Sequence, residues 1–325
     1  MMGDINQISG PVKEELKIFE KQFRELLKSE VPLLDVITNY ILRRKGKQLR
    51  PSLVLLTSKM FGEIGDSSYT AASLIELLHT ASLIHDDVVD DSHERRGFFS
   101  INALWKSKIA VLVGDYLLSK GMLFSVERQE YQLLSIVSEA VREMSEGELM
   151  QIQKARKLNI TMDDYFIIIR KKTAALISAC TACGAYAAGA SAGQVKIMKE
   201  FGELTGIAFQ IKDDLFDYSS KGLTGKPSAN DIKEKKITLP LIFALNECTL
   251  PEKTKIISII KHHNKNAEKI NTVLDFVKKW GGLQFAEIKM EEYKNSAIAK
   301  LESFPDTDSK KALIAMVEYT TSRKN

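Results

Sequence analysis

The segment Leu78-His79-Thr80-Ala81-Ser82-Leu83-Ile84-His85-Asp86-Asp87-Val88-Val89-Asp90-Asp91 starts as an apolar helical sequence and ends in four aspartates within six residues. On a helix, Asp86 and Asp90 lie one turn apart on the same face. Like charges this close together are costly unless cations neutralise them. Ligands that are all carboxylates favour a hard cation such as Mg²⁺, which keeps waters and is shared with substrate phosphates. A solvated acidic helix end is the alternative interpretation.

The same Asp-Asp-x-x-Asp spacing occurs again in Phe209-Gln210-Ile211-Lys212-Asp213-Asp214-Leu215-Phe216-Asp217, after another long apolar stretch. Two helices that each end in this motif could face one another and hold several Mg²⁺ ions. The repeat therefore favours a metal site over a solvated helix end. The predicted metal ligands are Asp86, Asp87, Asp90, Asp213, Asp214 and Asp217.

The rest of the chain continues the helical pattern. Its seven prolines fall between periodic segments, and no alternating strand pattern or hairpin signal is found. We expect an all-α protein with one domain over residues 1–325 and long central helices around a cavity. The Ala- and Gly-rich stretch 179–193 predicts close helix packing. The predicted helical segments are 12–28, 31–44, 51–61, 70–91, 108–127, 132–157, 161–188 and 194–218, followed by shorter helices.

Composition narrows the class of protein. A hydrophobic share of 44% is typical of a globular core, and a net charge of +4 with scattered basic residues argues against a nucleic-acid partner. Three cysteines form no even disulfide framework, which favours a reducing compartment, and Cys180-x-x-Cys183 is interpreted as small core residues. The N-terminus shows no signal peptide pattern and no stretch approaches 18 apolar residues, so a soluble cytoplasmic protein is expected.

Three further motifs accompany the acidic ones: Gly46-Lys47-Gln48-Leu49-Arg50-Pro51, Lys172-Thr173 and Lys236-Ile237-Thr238-Leu239-Pro240. With them, the chain resembles the trans-isoprenyl diphosphate synthases, the polyprenyl synthetase family. The resemblance implies the isoprenoid synthase fold, which is a single large helical bundle, and a homodimer. It also implies a prenyltransferase that condenses an allylic diphosphate with isopentenyl diphosphate in a Mg²⁺-dependent reaction.

By the same resemblance, a set of residues around these motifs binds the substrates. They are Gly46, Lys47, Arg50, His79, Arg95, Arg96, Lys226 and Lys236. The first four would bind isopentenyl diphosphate, the arginine pair would contact one diphosphate each, and the last two lysines would close over the diphosphate. Guanidinium and ammonium groups both suit phosphate oxygens. The alternatives are a solvated loop for the first motif and a core histidine for His79.

The resemblance assigns the chemical step to Lys172, Thr173 and Gln210. Lys172 would hold the leaving diphosphate, while Thr173 and Gln210 would present oxygen dipoles to the developing carbocation. Six aspartates contribute about −6 and the allylic diphosphate about −3, so roughly three Mg²⁺ plus several basic side chains are needed to balance them. The product would be five carbons longer, in trans geometry.

Product length is expected to depend on residues before the first aspartate. Ala81 and Ser82 are small where short-chain members tend to carry bulky aromatic residues, so the next candidate barrier is Leu78, about one helical turn further on. A long-chain product (about C30–C45) is predicted, a quinone side-chain precursor passed on to membrane enzymes, as in octaprenyl, heptaprenyl or solanesyl diphosphate synthases. A bulky residue elsewhere that stops growth at C15 or C20, as in farnesyl or geranylgeranyl diphosphate synthases, is the alternative.

Two other functions compete with this one. A non-catalytic subunit of a heteromeric synthase usually lacks aspartates from one or both motifs, whereas this chain has all six. A terpene cyclase shares the helical bundle but needs no isopentenyl diphosphate site, and Lys47, Arg50, His79 and Arg96 argue for such a site. The sequence therefore favours the elongating synthase.

Overall fold

The computed structural model describes residues 8–43, 48–95, 97–219 and 229–322. These ranges are helical apart from turns, loops and one short hairpin, so the prediction of an all-α fold is confirmed. The helices are α1 (Lys13–Leu26), α2 (Pro32–Arg43), α3 (Leu49–Phe61), α4 (Asp66–Val89), α5 (Ile101–Glu127), α6 (Tyr131–Lys157), α7 (Met162–Ile169), α8 (Ala175–Ala187), α9 (Ala192–Ser219), α10 (Asn230–Lys233), α11 (Leu239–Glu247), α12 (Leu250–His262), α13 (Ala267–Lys279), α14 (Gly282–Lys300) and α15 (Asp308–Ser322).

Three smaller elements complete the chain trace. A 3₁₀ turn, Gly10–Val12, precedes α1, and a π-helical turn, Arg170–Ala174, separates α7 from α8. Strands β1 (Glu94–Arg95) and β2 (Phe98–Phe99) pair antiparallel between α4 and α5. The segment predicted as one helix over 161–188 is therefore three pieces joined end to end. A capping box lies at its start, where the Thr161 hydroxyl and the Asp164 carboxylate each accept from the other's backbone N–H.

The chain divides into two compact units. The first comprises Met1–Val141, Ala179–Lys199 and Phe304–Ala315, and the second comprises Arg142–Ser178, Glu200–Ser303 and Met316–Asn325. Four of the boundaries fall inside α6, α8, α9 and α15, and the fifth, between residues 303 and 304, falls in the connection between α14 and α15. The single domain over residues 1–325 stays a prediction.

In the first unit, α4 is the central helix and packs along α5 and α3. Apolar side chains from Ala71 to Ala81 on α4 are buried, so the apolar part of the helix lies in the core and only its C-terminal end is acidic. The close packing predicted for 179–193 is found at Gly184, where an added Cβ would lie 2.4 Å from the carbonyl oxygen of Val54. The Ser58 hydroxyl donates to the Gly184 carbonyl across the same contact, at 2.9 Å.

In the second unit, α11 packs against α14, α13 and α7. Its apolar residues join a continuous buried cluster with the end of α9 and with α12. An added Cβ at Gly282 would lie 2.1 Å from the carbonyl oxygen of Pro240, so α14 begins in backbone contact with α11. This packing holds α7 and α9 in place, and those two helices carry the polar groups described below.

Helix α5 is long and apolar enough to cross a membrane by length and composition, with a mean hydropathy of 1.5 over its most apolar window. It is the only helix of the described residues that meets this criterion, and about a third of that window is buried. One such helix is weak support for a membrane span, because core helices of soluble proteins meet the criterion too. The backbone of α5 is interrupted at Lys106, whose φ is +70°.

Candidate active site

The first acidic motif forms the C-terminal end of α4. Asp86 is half-buried, Asp87 is buried and Asp90, which follows the last helical residue, is exposed. The chain leaves the helix through Asp91 in the left-handed region, with φ of +47°. Asp86 and Asp90 thus stand one turn apart at an open helix end, as the spacing predicts.

The segment after this motif is tied back to the helix end. The Ser92 N–H donates to the Asp87 carbonyl at 2.9 Å, and the Asn102 side chain donates to the same carbonyl at 3.3 Å. The Ser100 hydroxyl donates to the Ser92 carbonyl at 2.6 Å and also caps α5. These bonds enclose the β1–β2 hairpin. Arg95 lies in β1, whereas Arg96 is outside the described residues, so their diphosphate roles stay predictions.

His85, the residue before the first acidic motif, packs its ring against Gly114 of α5. His85 Nε2 lies 3.3 Å from the Val111 carbonyl oxygen and 3.5 Å from a carboxylate oxygen of Asp115. A Cβ at Gly114 would come within 2.1 Å of His85 Nε2, so only glycine leaves room for this ring position. The Gly114-Asp115 pair therefore positions the end of α4, in keeping with a structural role for this stretch.

Several predicted substrate and chain-length residues also belong to the first unit. Arg50 is half-buried near the start of α3, and His79 is 8% exposed inside α4. Ala81 and Leu78 are buried, while Ser82 is half-buried and donates its hydroxyl to the His79 carbonyl at 3.1 Å. Gly46 and Lys47 lie outside the described residues. All these roles stay predictions.

The second unit contains a cavity of about 140 Å³ that brings together the three residues predicted to carry the chemical step. It lies between α6, α7, the π-helical turn, α9 and the segment before α11. Its polar lining also includes Lys236, whose diphosphate role stays a prediction, whereas Lys226 lies outside the described residues. The lining residues are Gln151, Ala155, Ile160, Tyr165, Ile168, Ile169, Lys172, Thr173, Gln210, Asp214, Asp231, Lys236, Ile237 and Thr238.

The π-helical turn carries Lys172 and Thr173 and is enclosed by glycines of two helices. A Cβ at Gly147 of α6 would lie 2.7 Å from the Lys172 backbone nitrogen. A Cβ at Gly206 of α9 would lie 2.5 Å from Ala174 Cα. Such turns cost helical hydrogen-bond regularity and are frequent at functional sites. The two glycines let both helices approach the backbone of this turn.

Lys172 is paired with side chains of α6. Its ammonium donates to Gln151 Oε1 at 2.8 Å and forms an ion pair with Glu148. The neighbouring Lys171 pairs with Glu146 instead. Holding a leaving diphosphate would therefore require Lys172 to exchange its carboxylate partner for a phosphate oxygen.

Asp214, the second aspartate of the second motif, is buried and bonded to protein groups at both oxygens. The Tyr165 hydroxyl donates to Oδ2 at 2.6 Å, and Gln210 Nε2 donates to Oδ1 at 2.8 Å. The Thr173 hydroxyl donates in turn to Gln210 Oε1 at 2.7 Å. Burial raises the pKa of Asp214 to about 8, and burial also raises the pKa of Tyr165 well above its usual range. Tyr165 was missed from sequence, since a tyrosine at a helix start carries no signal.

Asp217, the third aspartate of the motif, receives the backbone N–H groups of Asn230 and Asp231 at 2.8 and 2.9 Å. It therefore stabilises the start of the four-residue helix α10. Asp231 lines the cavity beside Asp214, and burial raises the pKa of its carboxyl to about 7. Asp231 was also missed from sequence because it lies outside the repeated spacing. Asp213 is half-buried on α9.

The donor chemistry of these residues fits Mg²⁺ better than a softer metal. The two motifs supply carboxylate oxygens, and the three cysteines lie elsewhere as free thiols, two of them buried in α8. Among the described residues, no group of three or more His, Cys, Asp or Glu side chains forms a ready metal cluster. Mg²⁺ is usually held by one or two carboxylates plus waters and substrate phosphates, so a protein-only cluster is not required.

Comparison with known proteins gives consistent relatives along the whole chain. The family model described as Polyprenyl synthetase matches residues 31–277. The octaprenyl diphosphate synthase of Escherichia coli (strain K12) is 35% identical over 300 residues, which cover 92% of this chain and 93% of that protein. The crystal structure of a decaprenyl diphosphate synthase from Rhodobacter capsulatus has a TM-score of 0.93 at 32% identity and covers 99% of this chain and 100% of that one.

Two further solved structures show the range of similar proteins. A polyprenyl synthase from Caulobacter crescentus CB15, complexed with calcium and isoprenyl diphosphate, has a TM-score of 0.90 at 28% identity and covers 100% of this chain and 99% of that one. A geranylgeranyl pyrophosphate synthase from Bacteroides thetaiotaomicron has a TM-score of 0.82 at 33% identity and covers 99% of this chain and 100% of that one. The similar proteins therefore include synthases named for long products and for a short one.

Proposed function

The chain belongs to the polyprenyl synthetase family, with the isoprenoid synthase fold and prenyltransferase activity, and we propose that it extends an allylic diphosphate with isopentenyl diphosphate to a long-chain polyprenyl diphosphate. One observation carries the proposal furthest. The cavity of the second unit is lined by Lys172, Thr173 and Gln210 together, next to a carboxylate of the second acidic motif.

The reaction that these groups support begins with loss of diphosphate from the allylic substrate. Lys172 would bind a phosphate oxygen of the leaving group, with Lys236 from the same cavity wall. The Thr173 hydroxyl oxygen and the Gln210 amide oxygen would face the positive charge that develops on the allylic carbon. The double bond of isopentenyl diphosphate then attacks that carbon, and a proton passes from the new cation to the departed diphosphate, which restores a double bond.

We propose Mg²⁺ as the metal and, as its ligands, those aspartates of each motif that are not buried. When bound, Mg²⁺ supplies positive charge that stabilises the leaving diphosphate. Asp86 and Asp90 support this role because they share the face of an open helix end. About three ions per active site, as the charge balance suggests, remains part of the proposal.

The proposed product length depends on the interior of the first unit. Ala81 has no exposed surface, which supports an inward position, and its methyl group is a small obstacle to a growing chain. Leu78 lies one turn closer to the start of α4 and is the next candidate barrier. We therefore propose a product longer than C20. A short-chain product remains the second candidate, because a geranylgeranyl pyrophosphate synthase is among the similar structures.

We also propose a homodimer that forms through α5. Beyond its interruption at Lys106, this helix exposes five large apolar side chains at spacings that cover about a third of its circumference. They are Val111, Leu112, Met122, Leu123 and Val126. Such a stripe is typical of an interface between helices. A cytoplasmic location is the compartment that we propose, since all three cysteines are free thiols.

A product-length assay tests the proposed function. Purified protein would be incubated with Mg²⁺, labelled isopentenyl diphosphate and either dimethylallyl, geranyl or farnesyl diphosphate, and the dephosphorylated products resolved by chain length. A ladder that ends at C30 or beyond supports the proposal in full. Products that stop at C20 keep the chemistry and contradict the long chain. No elongation from any primer would favour a non-catalytic subunit.

Sedimentation equilibrium tests the dimer. The wild-type protein should have twice the mass of one chain, and Leu112→Glu with Leu123→Glu should shift it to one chain because a charge enters the apolar stripe. Lys253→Glu on the exposed surface of α12, which changes the net charge by the same amount as the two leucine substitutions, is a control for the charge change alone. A wild-type protein with the mass of one chain would contradict the proposal.

A further inference from the structure

We propose that Tyr165 and Asp214 are positioning residues that orient Gln210 and Thr173, so that the Thr173 oxygen turns its lone pairs, and not its proton, toward the cavity. The proposal rests on the proposed function, because it matters only if Thr173 faces a developing positive charge. It also gives Asp214 a different role from the aspartates proposed to hold the metal, although all of them belong to the same repeated motif.

The geometry is an unbroken line of hydrogen bonds within the second unit. Tyr165 of α7 donates to one oxygen of Asp214, and the Gln210 amide donates to the other, at 2.6 and 2.8 Å. The Gln210 carbonyl then accepts the Thr173 hydroxyl at 2.7 Å. All four side chains line the same cavity. Asp214 is 3% exposed, so the protein, and not solvent, determines what its oxygens contact.

The direction of each bond follows from the chemistry of the Gln210 amide. Gln210 Nε2 faces Asp214 Oδ1, and because an amide NH₂ group only donates, this oxygen accepts and the Gln210 carbonyl faces Thr173. A hydroxyl has one proton, and that of Thr173 is donated to this carbonyl. The Thr173 oxygen is left with lone pairs for the cavity. A dipole oriented before the reaction stabilises a developing charge without reorganisation cost.

The same geometry argues against Asp214 as a metal ligand. Both of its oxygens already accept strong bonds from buried partners, and its carboxylate lies in the wall between α7 and α9. Asp213, one residue earlier on the same helix, is half-exposed. The second acidic motif thus contains one carboxylate in the protein interior, Asp214, and one that reaches the surface, Asp213.

Isosteric substitutions can reverse, and then restore, the donor and acceptor roles in the hydrogen bonds between Asp214, Gln210 and Thr173. Asp214→Asn keeps the Tyr165 hydroxyl as a donor only by turning its carbonyl oxygen toward it, which places its NH₂ group opposite that of Gln210. The Gln210 amide then rotates, and Thr173 turns its proton to the cavity. Adding Gln210→Glu provides a carboxylate that accepts from the new amide and from the Thr173 hydroxyl, so the Thr173 proton again points away from the cavity. The double variant keeps the heavy-atom count of the wild type. Tyr165→Phe removes the outer donor alone.

Steady-state kinetics and metal binding form the test. We expect Asp214→Asn to lower kcat by about 10²-fold, the effect of one lost electrostatic stabiliser, and the double variant to recover to within about tenfold of wild type. Tyr165→Phe should lower kcat by about tenfold, the effect of losing the one hydrogen bond that holds Asp214 Oδ2. KM for both substrates, and thermal stabilisation by Mg²⁺ with inorganic pyrophosphate, should stay at wild-type values in every variant.

Tyr218→Phe is the matched control, since Tyr218 is another buried tyrosine, one turn after Asp214, whose hydroxyl is bonded to Thr238 at 3.1 Å. It should keep kcat within about threefold of wild type. The hydrogen bond that it removes joins two neutral groups and is not part of the line from Tyr165 to Thr173. Comparison with Tyr165→Phe decides the question even if Asp214→Asn fails to fold.

Three results would overturn the inference while leaving the proposed function intact: no rescue by the double variant, equal effects of the two tyrosine substitutions, or loss of the Mg²⁺ and pyrophosphate stabilisation in Asp214→Asn. The last result would make Asp214 a metal ligand. A wild-type protein that elongates no allylic primer would instead contradict the proposed function itself.

Discussion

Replacing Gly206 by alanine should damage both stability and turnover, because α9 touches the backbone of the π-helical turn at this residue. The new Cβ would lie 2.5 Å from Ala174 Cα and 2.7 Å from Ala174 Cβ. Carbon atoms in contact normally lie about 3.5–4.0 Å apart, so helix and turn must separate by about 1 Å. The turn carries Lys172 and Thr173, and the displacement would carry these two side chains with it.

The size of each effect follows from this displacement. Overpacking of a well-packed core costs about 1–3 kcal/mol, and the better helix propensity of alanine offsets about 0.5–1 kcal/mol of it. The free energy of unfolding should therefore fall by up to about 2.5 kcal/mol. A misplacement of about 1 Å can cost about 10²-fold in rate, so kcat should fall by one to two orders of magnitude. Urea unfolding and single-turnover kinetics measure the two effects.

Gly193→Ala in the same helix is the matched control. Its new Cβ would meet nothing nearer than the Ser191 hydroxyl oxygen at 4.0 Å, so the helix should gain up to about 1 kcal/mol with no change in kcat. Gly147→Ala, which would press on the Lys172 backbone nitrogen from α6, should act like Gly206→Ala. Wild-type stability and turnover for Gly206→Ala would refute the close approach on which the reasoning depends.

Three further predictions concern other parts of the chain. Asp86→Ala should lower kcat by at least about 10²-fold, and near-normal turnover at saturating Mg²⁺ would contradict its metal role. Ala81→Phe should shorten the products, whereas an unchanged product ladder would show that the chain does not pass that residue. Burial raises the pKa of Cys180 to about 12 and that of Cys183 well above its usual range, so Ellman's reagent at pH 8 should titrate only Cys248 quickly in the native protein and all three thiols after denaturation. Rapid reaction of all three thiols in the native protein would contradict the burial of the other two.

Much of the secondary structure was predictable because its causes are local. Apolar periodicity, prolines at helix starts and the Thr161–Asp164 capping box act within a few residues. The predicted ends of α4 and α6 accordingly differ from the observed ends by a few residues at most. The hairpin after α4 was missed, since strands of two residues are too short for any periodicity to appear.

The π-helical turn could not be predicted, because its causes lie in distant parts of the chain. The sequence around Lys172 reads as continuous helix, and the turn is accommodated by glycines of α6 and α9 at positions 147 and 206. A glycine gives no sign in the sequence of the backbone that it approaches. The cavity depends on the same long-range contacts, so motif residues could be named without knowing how they are bonded.

The spacing of the repeated acidic motif predicts which aspartates share a helix face, but it does not predict which of them are buried. On a helix, the first and third aspartates share a face, while the second points about 100° away. In both motifs that second aspartate is the buried one: Asp87 is 4% exposed and Asp214 is 3% exposed. The spacing in the sequence predicts that the second aspartate points in a different direction from the other two. It does not predict which side of the helix packs inward. The contact between Tyr165 and Asp214 shows that one spacing contains a buried and an outward kind of carboxylate, and we propose that the outward kind shares a cation with a diphosphate.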